Sequence, residues 1–309
     1  MTGGSDDGAR PHPGGGPSGA GGGAGTRAGG SSAVSVFRFR RPSMPASRPD
    51  SGTAGDGQDH ETRRDPLRAT VVAPRIDPQR MWDALNPIKP DEQAFARRRL
   101  IAAHAGDQAG SAFDMLRTQL VQAAAEHGWR RIAITSPTRG CGKSFVLANL
   151  ALALARRPDY RTAVVDLDLR DPSLADLFGV ADAGRLADVL SGEQPVEAMF
   201  HRIGRSLALG LNDCAEQAAA EILQDSRTAD TIEAVELSLA PDLMLFDLPP
   251  LIGSDDVLGF LPRVDAVLLV ADGTRTLARD ITEAERLLRD RTTLVGVVLN
   301  RAESTAIGR

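Results

Sequence analysis

Five side chains in this sequence have the type and spacing to handle a phosphate. They are Lys143 and Ser144 in TSPTRGCGKS, Asp166 and Asp168 in AVVDLDLRDP, and Asp247 in LMLFDLPP. The phosphate-loop pattern G-x-x-x-x-G-K-[ST] ends intact at Gly142, Lys143 and Ser144, while Pro137 stands where its first glycine belongs. Of the 36 basic residues only Lys89 and Lys143 are lysine. A compact ammonium reaches β- and γ-phosphates as a point charge where a planar guanidinium does not fit. Ser144 then offers its hydroxyl to Mg²⁺. Gly140 and Gly142 let backbone N–H groups approach phosphate at the positive end of the following helix. The central N–H groups come from residues 139–144, none of them proline, so Pro137 leaves the loop usable. An ordinary strand–turn–helix connection is the competing reading. Placement between the apolar strand RIAIT and the apolar helix KSFVLANLALALARR decides against it.

Asp247 closes an apolar strand, the Walker-B arrangement in which a carboxylate holds Mg²⁺ directly or through water. Asp166 and Asp168 lie two apart at the end of another strand. If the chain is still extended there, both point to one side. Two carboxylates beside a nucleotide's metal suit metal support and activation of an attacking hydroxyl. The alternative is one capping aspartate and one solvated neighbour.

The elements that must position these groups alternate between two periods. DQAGSAFDMLRTQLVQAAAEHG is helical, with Phe113, Leu116, Leu120 and Ala124 at three- and four-residue steps and Gly128 as its stop. RIAIT, TAVVDLD, LMLFD, AVLLVAD and LVGVVLN are strands, and LALGLN is a candidate sixth. SLADLFG and GRLADVLSG are short helices, and AEQAAAEILQDSRTADTIEAVELSL and ARDITEAERLLRDR are longer ones. The fold class is α/β: a P-loop NTPase with a mostly parallel sheet and helices on both faces. Ligands of such sheets bind at the carboxyl ends of the strands, where the candidate residues fall.

Composition divides the chain into a Gly/Pro/Arg-rich tail (1–66), a linker (67–106) and a P-loop domain (107–304). Residues 1–60 hold 16 of the 31 glycines, too little apolar surface to offset ordering entropy, so the tail is expected to be disordered. In the linker, Trp82 and Leu85 are candidate docking residues. SVFRFRRP (35–42) reads as a basic spot in the tail, with lipid or partner contact as the alternative. Residues 1–90 carry a charge balance of +3 and the remainder −8. An acidic domain argues against nucleic acid as a partner. Cys141 and Cys214 form no spaced framework, which suits a reducing cytosol. The N-terminus has no secretory pattern, and FVLANLALALA is too short to span a bilayer. A cytoplasmic protein is expected.

The stretches ITSPTRGCGKSFVLANLALALA, VVDLDLRDPSLADLFGV, GRLADVLSG, LMLFDLPPL, VDAVLLVADGTRT and LVGVVLNRAE together resemble the cytoplasmic module of bacterial tyrosine kinases (BY-kinases). These belong to the MinD/ParA-like branch of P-loop ATPases and serve exopolysaccharide and capsule production. The resemblance covers roughly residues 107–304, and DxDLRxP is its most specific part. It implies ATP and Mg²⁺ as cofactors. It implies a catalytic group of Asp166, supported by Asp168, with Lys143 on the phosphates. Nucleotide contacts would come from Thr138, Arg139, Gly140, Cys141, Gly142, Lys143, Ser144 and Phe145, with Asn300 and Arg301 at the adenine end. Mg²⁺ would be held by Ser144, Asp247 and Asp166. The resemblance further implies a transmembrane polysaccharide co-polymerase-type adaptor as a separate chain, recruitment to the inner face of the membrane, and a homo-oligomer.

Three features depart from that family. The usual C-terminal tyrosine cluster is replaced by RAESTAIGR, and Tyr160 is the one tyrosine, so autophosphorylation of a tail is not expected. The ring-forming E-x-x-R-x-x-R helix has Ser111 and Asp114 in its first two positions and keeps only Arg117. Thr138 occupies the place of the MinD signature lysine. Two other functions compete with the kinase: a non-catalytic ATP-gated subunit of an export machinery, and a MinD/ParA-type positioning ATPase.

Overall fold

The computed structural model describes residues 37–39, 77–100 and 108–302. Apart from 37–39, the segment expected as a tail lies outside the described residues, as does RAESTAIGR from Glu303 onward.

Four strands form the centre of the sheet because their residues are apolar on both faces. They are β3 (Arg131–Thr135), β4 (Thr162–Asp166), β7 (Leu243–Asp247) and β8 (Ala266–Asp272). All pair in parallel, in the order β8-β3-β7-β4. Period-two alternation then sorts side chains between two cores. Ile132, Ile134, Val164, Leu245 and Leu268 face one core; Ala133, Val165, Phe246 and Leu269 face the other. The sheet extends on one side through β9 (Thr293–Asn300) and on the other through β6 (Leu207–Gly210) and β5 (Phe200–Ile203). β5 runs antiparallel to β6 and was not foreseen from the sequence.

Helix α4 (Lys143–Ala155) is apolar all round and lies inside the first core, with Val146 to Ala151 almost wholly buried. Packed beside it is α3 (Gln108–His127), which presents Phe113, Leu116, Leu120 and Ala124 inward and stops at Gly128, whose φ is +70°. The long helix expected over residues 215–239 is instead two, α8 (Ala219–Gln224) and α9 (Ser226–Leu239). Asp225 divides them because its side chain accepts from the Arg227 N–H at 2.9 Å and caps α9. Among the described residues, no helix is long and apolar enough to cross a membrane.

The segment expected as a linker is folded over residues 77–100. It forms α1 (Pro78–Ala84), the short strand β2 (Asn86–Pro87) and α2 (Glu92–Arg97). Asp77 and Asp91 cap the two helices, and Pro78 takes the first helical turn, where its missing N–H costs nothing. β2 pairs with β5, making this segment one edge of the sheet. Trp82 and Leu85 are buried in one core, and Phe95 and Leu100 in the other. The Trp82 indole donates to the Leu239 carbonyl at 2.7 Å, satisfying the end of α9. Trp82 and Leu85 therefore dock onto their own domain. At the opposite edge, β1 (Phe37–Phe39) pairs antiparallel with β9, Arg38 opposite Val297. An open edge strand is a template for a further strand, which gives this part of SVFRFRRP a place in the sheet.

Truncating the anchor tests this packing. Trp82→Ala should lower unfolding free energy by about 3–5 kcal/mol in urea titrations. Trp82→Phe, which keeps most of the apolar area but loses the bond to Leu239, should cost about 1 kcal/mol.

Candidate nucleotide-binding site

The candidate residues meet at the carboxyl ends of the strands. Register does most of this: Asp247 on β7 lies opposite Asp166 on β4 and Ile134 on β3. The loop that follows β3 therefore rises beside both acidic strand ends. Its base is braced by residues just beyond β7. Thr135 Oγ1 donates to the Pro249 carbonyl at 2.6 Å, and the N–H groups of Leu251 and Ile252 donate to the carbonyls of Ser136 and Pro137. Pro137 is used as an acceptor, so its lack of an N–H removes nothing. Gly140 and Gly142 adopt φ of +77° and +84°. At Gly142 a Cβ would lie 2.3 Å from the Asn300 side-chain nitrogen, so both conformation and space require glycine.

Lys143 opens α4 and turns its ammonium into the acids. Nζ lies 2.6 Å from Asp168 Oδ2 and 3.2 Å from Asp247 Oδ1, and contacts Ser144 Oγ at 3.1 Å. Burial works against its charge, but Asp247 and then Asp168 outweigh it and raise the ammonium's pKa. Burial pushes the Asp166 carboxyl well up, and the nearby Asp247 adds to this against the pull of Lys143. Asp247 is likewise raised by burial, opposed chiefly by Lys143. One ammonium thus faces three carboxyl groups that are 0–4% exposed.

That imbalance leaves two acceptors without partners. Asp168 Oδ1 and Asp247 Oδ2 are buried and make no hydrogen bond. Unpaired carboxylate oxygens next to a serine hydroxyl form an oxygen-donor set suited to Mg²⁺. The residues present fit a magnesium–polyphosphate ligand: Ser144 and Asp247 would hold the metal, and Lys143 and the loop N–H groups the phosphates.

Asp166 and Asp168 are not equivalent. β4 ends at Asp166 and the chain turns, with the Asp171 N–H donating to the Asp168 carbonyl. Asp166 faces inward and accepts from the N–H groups of Asp168 at 3.3 Å and Leu174 at 3.1 Å. It thereby anchors the start of α5 (Leu174–Phe178). Asp168 faces a cavity of about 270 Å³ that Lys143, Ser144, Phe145 and Ser173 also line; Asp166 does not line it. Because β4 ends at Asp166, the extended-chain condition is not met at Asp168, although both carboxyls act on Lys143.

Arg139 stands exposed at the cavity mouth, 3.6 Å from Asp171. Thr138 offers its carbonyl to the Cys141 thiol at 3.1 Å, and Phe145 packs edge-on against Phe113 with ring centroids 6.3 Å apart. Asn300 and Arg301 grip the loop itself: Asn300 Nδ2 donates to the Cys141 carbonyl and Arg301 Nη1 to the Gly140 carbonyl, both at 2.9 Å. Asp272 and Arg275 complete this contact and were given no role from sequence. Asp272 is a buried aspartate ending a parallel strand, the same signal that marked Asp247. Burial would raise its carboxyl, but bonds from Thr274, Arg301 and Arg275 hold it far below the usual carboxylate range. On α3, Asp114 pairs with Arg117 at 3.1 Å and with Arg156, so this helix position is engaged within its own chain.

The ParA family model, described as NUBPL iron-transfer P-loop NTPase, matches residues 129–306. EpsB of Ralstonia nicotianae is 32% identical over 190 residues, which cover 60% of this chain and 24% of that protein. The succinoglycan biosynthesis transport protein ExoP of Rhizobium meliloti is 30% identical over 187 residues, covering 58% and 23%. The tyrosine-protein kinase YwqD of Bacillus subtilis is 28% identical over 191 residues, covering 60% and 78%. The chain thus spans about a quarter of the length of EpsB and ExoP. The kinase domain of Escherichia coli tyrosine kinase ETK superposes with a TM-score of 0.62 at 24% identity, covering 72% of this chain and 92% of that one. This likeness establishes the fold.

Two outcomes follow from the excess of acid. Asp247→Asn keeps an acceptor for Lys143 and replaces a buried, unpaired anionic oxygen. It should stabilise the nucleotide-free chain by about 1–2 kcal/mol in denaturant titrations. A carboxyl raised in the folded state binds more protons there than in the unfolded chain, so its contribution falls as pH rises. The gap between variant and wild type should therefore open as pH rises above about 4. Binding of Mg²⁺ and nucleotide should release protons from the acids, so calorimetric heats should vary with the ionisation enthalpy of the buffer, and less so in Asp247→Asn.

Proposed function

Because the chain belongs to the ParA family of P-loop NTPases, we propose that it binds Mg-ATP and transfers the γ-phosphoryl group to a tyrosine of a protein partner. Its role would be to regulate exopolysaccharide or capsule polymerisation and export through a separate membrane adaptor. The observation that carries the chemistry is the set of Asp166, Asp168 and Asp247 around Lys143, with two acid oxygens unpaired. The relatives ETK and YwqD, named as tyrosine kinases, favour a tyrosine acceptor. ExoP, named for succinoglycan biosynthesis and transport, favours the polysaccharide context.

Each residue then has a task. Lys143 leaves the carboxylates for the phosphates, where its charge offsets that of the transferring group. Ser144 and Asp247 hold Mg²⁺, which supplies charge neutralisation at the phosphate oxygens. Asp168, facing the cavity, accepts the proton of the attacking phenol. Asp166 fixes the backbone of Asp168 and of α5 and supports the metal end. Asn300 Oδ1, buried without a partner, is an acceptor for the exocyclic amine of adenine. Tyr160 lies beyond the other end of α4, just before β4, and is half-buried beside Arg157, so this geometry favours an acceptor other than Tyr160.

The test is incubation of the full chain with radiolabelled Mg-ATP and the cytoplasmic segment of a candidate adaptor. Label should reach tyrosine. Lys143→Met should abolish nucleotide binding. Asp168→Asn should retain binding and lose transfer by roughly 10²-fold or more. Free phosphate with no labelled tyrosine would identify an ATPase, and bound but unhydrolysed ATP a gate.

A further inference from the structure

Two successive carbonyls of the phosphate loop are tied down from outside. Gly140 O accepts from Arg275 Nη2 at 3.0 Å and from Arg301 Nη1 at 2.9 Å. Cys141 O accepts from Asn300 Nδ2 at 2.9 Å. Both arginines are themselves held by Asp272 Oδ2, at 3.1 and 2.7 Å, while Asp272 Oδ1 accepts from the N–H and hydroxyl of Thr274. Asp272 is 1% exposed and ends β8; Asn300 ends β9.

A trans peptide points its C=O and its N–H in opposite directions. Holding the Gly140 carbonyl against β8 and β9 therefore turns the Cys141 N–H away from them, toward the inside of the loop. Holding the Cys141 carbonyl does the same for the Gly142 N–H. Successive N–H groups aimed into one concavity form an anion nest. Arg301 shows that the arrangement is built. Adjacent residues of a strand point to opposite faces, so Asn300 and Arg301 could not both reach one loop if the strand continued. Arg301 instead adopts φ of +59°, a left-handed conformation costly for a residue with a Cβ, and its side chain returns to the loop.

We propose that Asp272, Arg275 and Arg301 are positioning residues that aim the Cys141 and Gly142 N–H groups at phosphate, with Asn300 as the second anchor. Resting on the nucleotide reading of the loop, this deepens it by explaining how a loop with Pro137 and Thr138 at its start keeps a rigid cradle. Asp272 orients the two guanidinium groups, and these set the peptide planes before any ligand arrives.

The experiment uses the full chain and a ligand without a base, inorganic tripolyphosphate, alongside Mg-ATP. The double variant Arg275→Ala/Arg301→Ala should bind both at least roughly tenfold more weakly, the scale of a lost charge-assisted bond. The melting temperature without ligand should fall, because Asp272 Oδ2 loses both partners, so affinities are compared at a temperature where both proteins are folded. Arg275→Lys/Arg301→Lys should recover most of the affinity, since an ammonium can bond both Gly140 O and Asp272. Asp272→Asn should weaken both ligands in the same direction; if it fails to fold, the arginine variants decide. A folded double alanine variant that binds tripolyphosphate and Mg-ATP within twofold of wild type would overturn the proposal. Wild type and Lys143→Met binding Mg-ATP equally would overturn the nucleotide reading instead.

Discussion

One ammonium among three buried carboxyl groups is the interaction on which the rest of this structure depends. Lys143 bonds Asp168 and Asp247 directly and lowers the cost of Asp166 behind them. Without it, burial of this much acid would require protonation or unfolding. With it, the cluster still holds more negative capacity than one lysine can offset. The surplus is two unpaired oxygens, Asp168 Oδ1 and Asp247 Oδ2. A site of this kind is stable enough to persist and unsatisfied enough to prefer a cation. Under the proposed function, drawing Lys143 to phosphate would raise the demand for a metal at Asp247, so the two halves of a magnesium–nucleotide ligand would reinforce each other's binding.

The sheet exists in a form that enforces this meeting. Parallel pairing brings β3, β7 and β4 to the same end in register, and each contributes one component: the loop, Asp247 and Asp166. Helix α4 cannot shift to relieve the charge, because its apolar surface is buried on nearly every side. Packing against α3 and the sheet therefore converts hydrophobic burial into fixed placement of a charge. The same logic operates on the other wall of the loop, where Asp272 at the end of β8 collects two arginines.

What was legible in the sequence follows physical locality. The phosphate loop is contiguous, and its residues announce themselves by type: glycines, a rare lysine, a serine. Strand-terminal Asp166 and Asp247 stand out against apolar runs. The folded segment 77–100 did not stand out, because its helices are short and lie in a stretch rich in Pro and Arg. Its stability comes from Trp82, Leu85, Phe95 and Leu100 filling cores built by residues far along the chain, and no local period reports that. The Asp272–Arg275–Arg301 contact was hidden for a related reason. Arginine is the ordinary basic residue of this chain, so Arg275 drew no attention, and Arg301 was expected at the adenine end rather than on the loop; the turn at Arg301 brings the two together. The different partners of Asp166 and Asp168 depended on where β4 ends, which the alternating pattern does not define to one residue.

The buried N-terminal segment also bears on the site. Phe95 packs edge-on against Phe178 of α5, with centroids 6.5 Å apart, and the Arg99 carbonyl accepts from Asn149 of α4. These two helices carry opposite walls of the cavity. At its start, α5 gives the Leu174 N–H to Asp166; at its start, α4 carries Lys143 and Ser144. The distance between the acidic strand ends and the phosphate loop is therefore braced by residues that precede the whole P-loop domain in sequence. A charge cluster this unbalanced needs such bracing, because like-charged carboxyls separate unless packing prevents it. Residues 77–100 thus pack against both helices that line the cavity, through Phe95 on Phe178 and Arg99 on Asn149.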